Sequence, residues 1–136
     1  MPQLRNYHIL ISHSWDYGDQ YETIREWLNN APYFLWTDYS VPISRPLTAT
    51  GVKDLEQKIY NRISLCSCVI ILSGMYVTYS DWIDFEIDTA VALEKPIVGI
   101  KPWGQERVPL KVQLQSNILV GWNSLSVIDA IRTYAI

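Results

Sequence analysis

Ser67-Cys68-Val69-Ile70-Ile71-Leu72-Ser73 decides the fold. Cys68 to Leu72 is an unbroken apolar run with β-branched residues at its centre, and Gly74 closes it. Such a run suits a strand with both faces covered. The next periodic segment, Trp82 to Lys95, has helical spacing and stops at Pro96. Ile97-Val98-Gly99-Ile100 then repeats the short apolar pattern. Strand, helix and strand in this order predict two parallel strands joined by a helical crossover.

The alternation extends in both directions. Upstream, His8 to Ser12 reads as a buried strand, Gln20 to Asn30 as a helix stopped by Pro32, and Tyr33 to Tyr39 as a strand. Val41 to Leu47, with two prolines and no clean period, reads as a loop. Val52 to Ile63 is expected to be helical, with Leu55, Ile59, Ile63 and Val52 as its inward stripe. Downstream, Lys101 to Gln115 reads as a loop with a helical turn, and Asn117 to Trp122 as a strand. Ser124 to Tyr134 reads as a closing helix with Leu125, Ile128 and Ile131 inward. The expected fold is α/β: a flavodoxin-like, doubly wound, five-stranded parallel sheet flanked by helices, as a single domain over 1–136.

Composition narrows the function. An apolar fraction of 49% with 18% charged residues belongs to a folded domain with a proper core. The net charge of −3, with no run of Lys and Arg, speaks against nucleic acid and against an anionic membrane surface. Cys66 and Cys68, two apart in an apolar run, lack the geometry for a mutual disulfide. With no leader-like segment at the start, a cytoplasmic location is expected. No apolar run is long enough to span a membrane. Two histidines and two cysteines so placed give no metal-ligand set. Six Trp and nine Tyr exceed what a core of this size needs, so some are expected to line a pocket or an interface.

Ligands in doubly wound sheets bind beyond the strand C-termini at the switch point. The polar residues gather there: Ser12-His13-Ser14-Trp15-Asp16 after the first strand, Asp38-Tyr39-Ser40 after the second, Ser73-Gly74 after the third. Beyond the third lies Ser80-Asp81-Trp82-Ile83-Asp84-Phe85-Glu86-Ile87. Ser80 can cap a helix start, and Trp82 and Glu86, four apart, share one helix face. An aromatic wall beside a carboxylate suits a site that handles a ring and a cationic sugar carbon.

This run resembles the Ser-x-Trp-Cys-x-x-Glu-Leu signature of TIR domains, with Ile83 for the Cys and Ile87 for the Leu. The segment Ile9 to Asp16 resembles their first strand, although no Phe precedes Ile11, and the following acid could be Asp16 or Asp19. Val41 to Thr50 falls where TIR domains carry a long loop. The resemblance runs along the whole chain and is strongest to the short bacterial TIR-like group that includes the TIR subunits of Thoeris antiphage defence. It implies an enzyme that takes NAD as substrate, needs no cofactor, and cleaves the nicotinamide–ribose bond to release a signalling nucleotide. It also implies self-association and a separate effector that senses the product. Glu86 is then the catalytic residue, Trp82 flanks the nicotinamide or ribose, and Ser12 and His13 contact the nucleotide; Asp38, Arg45 and Ser73 are further wall or phosphate contacts.

Other readings compete. Asp81, Asp84 and Asp88 read as a solvated face, with Asp81 favoured by the helix dipole. His8 is expected to be structural, and Trp27, Trp36 and Trp122 to belong to the core. A phosphoacceptor receiver would need an acid at the third strand tip, where Ser73-Gly74 stands, and Gly18 alone makes neither a Rossmann fingerprint nor a P-loop. A non-enzymatic TIR scaffold uses the same fold, but the acid at position 86 favours the enzyme. A nucleoside deoxyribosyltransferase-like enzyme with a catalytic Glu is the more distant alternative.

Overall fold

The computed structural model describes residues 5–14, 18–40, 42–43, 49–73, 76–101 and 108–136, the side chains of 13–14, 42–43, 49–52 and 76–80 excepted. In chain order the elements are β1 (Asn6–Ile11), β2 (His13–Ser14), α1 (Gly18–Asn30), β3 (Leu35–Asp38), β4 (Pro42–Ile43) and α2 (Ala49–Ser64). They continue with β5 (Cys68–Leu72), α3 (Tyr76–Ala92), β6 (Ile97–Ile100), α4 (Leu110–Gln115), β7 (Ile118–Val120) and α5 (Ser124–Tyr134). The main sheet has the order β3-β1-β5-β6-β7, and every pairing is parallel. This is the flavodoxin-like arrangement, with its switch point between β1 and β5.

The burial of each strand follows its place. Central β5 and β6 are buried along their whole length, whereas edge strand β3 alternates exposed and half-buried residues. Helices α1 and α5 pack together, and α3 contacts both α2 and α4. Ile9, Leu10, Ile11, Ile24, Leu28, Ile59, Ile63, Ile70, Ile71 and Leu72 are the largest sealed side chains. Polar residues just before the strands extend the ladders. The Ser67 hydroxyl accepts from His8 N at 3.0 Å, and the Asn117 side-chain oxygen accepts from Ile97 N at 2.9 Å.

Several boundaries differ from expectation, each for a local reason. Strand β1 begins at Asn6, because Asn6 to Ile9 find partners in Leu35 to Asp38. The expected loop from Val41 contains β4, which pairs in parallel with β2 and ties the first two strand tips together. Pro42 fits there because the pair is an isolated edge that asks little of its missing N–H. Helix α2 starts at Ala49, and the expected inward Val52 lies outside the described side chains. Helix α3 starts at Tyr76, so Ser80 lies inside it and is not its cap, and Asp81 is beyond the first turn where the dipole acts. It ends at Ala92, before Lys95, because Glu94 takes a left-handed φ of 58° and Lys95 N closes back on Ala90 O at 2.8 Å. Leu125 is 72% exposed: α5 buries Val127, Ile128, Ala130 and Ile131, and Leu125 lies on the opposite side of the helix. Trp27, Trp36 and Trp122 are half-buried, packed against the core from its margin. Trp27 and Trp122 touch each other with ring centroids 4.9 Å apart, and the Trp36 indole donates to Asn29 at 2.7 Å.

Candidate active site

Helix α3 turns a stripe of Ile83, Glu86, Ile87 and Ala90 toward the sheet, at the i, i+3, i+4, i+7 spacing of a core face. Three members are apolar and the fourth is an acid. Glu86 has 0% exposure, as Ile83 and Ala90 have. It lies ten residues into the helix, deeper than the single turn that a start near Trp82 implied. Burying a carboxyl among isoleucines is costly unless it is bonded or neutral. The spacing of the stripe is readable in the chain, but the signature pairs Glu86 with Trp82 and does not assign the acid to the stripe.

Among the described residues, one hydrogen-bond partner meets it. Ser12, the residue after β1, donates its hydroxyl to Glu86 Oε1 at 2.7 Å and is itself sealed at 0% exposure. Ser12 N donates to Ile70 O at 2.9 Å, so β5 holds its backbone across the switch point. Glu86 Oε2 is buried and has no hydrogen-bond partner among the described residues. Burial pushes the Glu86 carboxyl from the usual 4.5 up to about 8, against the smaller downward pull of the Ser12 hydrogen bond. At neutral pH the resting group is therefore mostly the neutral acid.

The remaining sequence-derived candidates take separate places. Ser73 is buried at the tip of β5 and donates to Ile100 O at 3.1 Å, joining β5 to β6. Trp82 is half-buried on the flank of the α3 stripe and meets Phe85 edge to face, centroids 6.4 Å apart. Asp38 closes β3: its Oδ1 accepts from Ser40 N at 2.9 Å, its Oδ2 accepts from the Tyr21 hydroxyl, and Arg25 Nε stands 3.7 Å away. Burial and the Asp38 carboxylate push the Tyr21 hydroxyl upward, so it stays a donor. Sequence reasoning did not single out Tyr21 or Arg25, which carry no signature beyond their helical spacing. The His13 side chain, and Arg45 with its whole backbone, lie outside the described residues. The structure thus joins Ser12 to Glu86 by a hydrogen bond, while Ser73, Asp38 and Trp82 make the contacts just described with other residues.

Beside this centre, Lys53, Glu56, Gln57, Tyr60 and Phe85 line an open depression of about 400 Å³ between α2 and α3, which neither Ser12 nor Glu86 reaches. Asp84 and Asp88, expected to be solvated, both bridge to Lys111 of α4, at 3.4 and 2.9 Å. Burial pushes the free thiols of Cys66 and Cys68 up to about 12, which keeps them unreactive. Among the described residues no group of His, Cys, Asp and Glu could hold a metal ion, and no helix is long and apolar enough to cross a membrane.

Residues 10–107 match the family described as Thoeris protein ThsB, TIR-like domain. Among solved structures, the CMP N-glycosidase BcmB of Clostridium botulinum aligns with a TM-score of 0.58 at 15% identity, covering 92% of this chain and 98% of that one. A 3-dehydroquinate dehydratase-like protein from Bifidobacterium longum aligns with a TM-score of 0.55 at 8% identity, covering 94% of each chain. At these identities the likeness is one of fold. No curated protein matches the chain in sequence.

Proposed function

The chain belongs to the TIR-like domain family of the Thoeris protein ThsB, and from that premise we propose that it is an NAD-consuming enzyme. It cleaves the nicotinamide–ribose bond and releases nicotinamide with an ADP-ribose-type nucleotide, cyclic or linear, that signals to a separate effector in antiphage defence. The observation that carries this reading is Glu86 Oε2, a carboxyl oxygen held in a core stripe with no hydrogen-bond partner among the described residues.

The chemistry suits a lone carboxyl. Nicotinamide leaves NAD as a neutral molecule because it starts out cationic, so no general acid is needed to expel it. The difficulty lies in the positive charge that develops on the ribose carbon. A carboxylate in a dry, low-dielectric setting opposes that charge strongly. Glu86 loses its proton when a cation is brought against it, because an adjacent positive charge favours the ionised form. Hydrolysis, cyclisation and transfer share this first step and differ in the nucleophile admitted afterward.

The test is incubation with NAD, with and without lysate from phage-infected cells, followed by mass spectrometry of the nucleotides. Nicotinamide release by the wild type and a loss of ~100-fold or more in Glu86→Gln are expected, the scale of removing one electrostatic stabiliser. Wild-type release by a folded Glu86→Gln protein would overturn the assignment. A second reading, a TIR module that assembles partners without catalysis, is favoured by one observation: Glu86 has no exposed surface. It takes over if no NAD is cleaved under any of these conditions.

A further inference from the structure

We infer that Ser12 is a positioning residue for Glu86, fixing which carboxyl oxygen is left bare, and is not itself a nucleotide contact. The inference rests on the functional reading of Glu86 and deepens it. Three observations carry it. First, Ser12 is sealed at 0% exposure, as Glu86 is, so the two side chains meet inside the core and not on an open surface. Second, that hydroxyl is engaged, donating to Oε1 at 2.7 Å. Third, its backbone is pinned by the bond from Ser12 N to Ile70 O at 2.9 Å, so the side chain is presented from the central pair of the sheet.

The division of the two oxygens follows from this. A carboxyl on a helix can turn about its last torsion, which is broad and two-fold. A single donor fixed to the sheet removes that freedom by selecting one oxygen. Oε1 is occupied, and Oε2 is buried with no hydrogen-bond partner among the described residues. Among the described residues, no charged or titratable group competes with this hydrogen bond for control of the carboxyl. The Ser–Glu contact joins residues 74 positions apart, linking the tip of β1 to the third turn of α3 across the switch point.

The test uses Ser12→Ala and Ser12→Thr in the full chain, with folding checked by circular dichroism. The Glu86 carboxyl is followed by carbon NMR in ligand-free protein, its resonance assigned from its loss in Glu86→Gln. Ser12→Ala is expected to move the Glu86 titration upward by about 0.7 pH unit, the equivalent of one ordinary hydrogen bond, with Ser12→Thr restoring most of the shift. In NAD turnover, Ser12→Ala should lower kcat by about 10-fold or more with KM changed little, and Ser12→Thr should recover activity. An unmoved titration in a folded Ser12→Ala protein would overturn the positioning role. So would a rise in KM at constant kcat, which is the signature of a lost substrate contact. Because the NMR arm needs no turnover, it tests the hold of Ser12 on the Glu86 carboxyl even if NAD proves not to be the substrate.

Discussion

Gly99 of β6 and Leu119 of β7 stand opposite each other in register with no space for a methyl group between them. A Cβ on Gly99 would lie 2.6 Å from Leu119 Cδ2 and 2.7 Å from the Ser116 hydroxyl oxygen. Both obstacles are side-chain ends that can turn, so Gly99→Ala is expected to cost about 1–2 kcal/mol and Gly99→Val more. Urea denaturation gives the values. A Gly99→Ala midpoint equal to wild type would mean that Leu119 rotates away freely.

Glu94 supplies a prediction of opposite sign. It is exposed, and it ends α3 with a φ of 58°, a conformation that side chains with a Cβ adopt at a cost. Replacing Glu94 by Gly should raise stability by about 0.5–1 kcal/mol, once the greater freedom of glycine in the unfolded chain is set against the relieved strain. An increase in melting temperature checks it, and a decrease would assign Glu94 a contact beyond the turn.

Stability should depend on pH through Glu86. Unfolded, the carboxyl titrates near 4.5; folded, near 8. Between those values the folded chain keeps a proton that the unfolded chain has released. Stability is therefore greatest below about 4.5 as far as this group is concerned, falls as pH rises, and levels off above about 8. The slope attributable to one such group is at most about 1.4 kcal/mol per pH unit. Glu86→Gln, which cannot ionise, should remove that slope and be the more stable protein at pH 9. Denaturant titrations at several pH values decide it: parallel curves for the two proteins would show that Glu86 ionises normally.

Trp82 tests whether the flank of the α3 stripe is wall or core. Its half-buried ring and its edge-to-face contact with Phe85 predict a loss of about 2 kcal/mol in Trp82→Ala, less than the ~3–5 kcal/mol of a fully buried aromatic. If it also walls the site, nicotinamide release should fall by more than this destabilisation explains. A loss at the upper end with unchanged turnover would make it a core residue alone.

The sheet was legible because its strands are apolar runs and its crossovers carry helical periodicity. Ile97 to Ile100 and Ser124 to Tyr134 match expectation to the residue. Helix α3 was legible only from Trp82 onward, since Tyr76-Val77-Thr78-Tyr79 is aromatic and β-branched, a composition that favours strand over helix when read locally. Leu125 misled because an apolar residue one turn before Ile128 and Ile131 looks inward unless Val127 and Ala130 are weighed with them. At the site, Ser12 and Glu86 could each be named from motifs. Their contact could not, because it depends on how far α3 is shifted along β1, which is set by packing and not by any local spacing.

The neutral state of Glu86 makes the hydrogen ion a resident ligand of this centre. Any cation that settles against the carboxylate must expel it, so occupancy and proton release are one event. Between about pH 5 and 8, calorimetry in two buffers of different ionisation heat should then give different apparent enthalpies for such a guest, and identical ones for an uncharged analogue. The protein would discriminate by charge before it discriminates by shape.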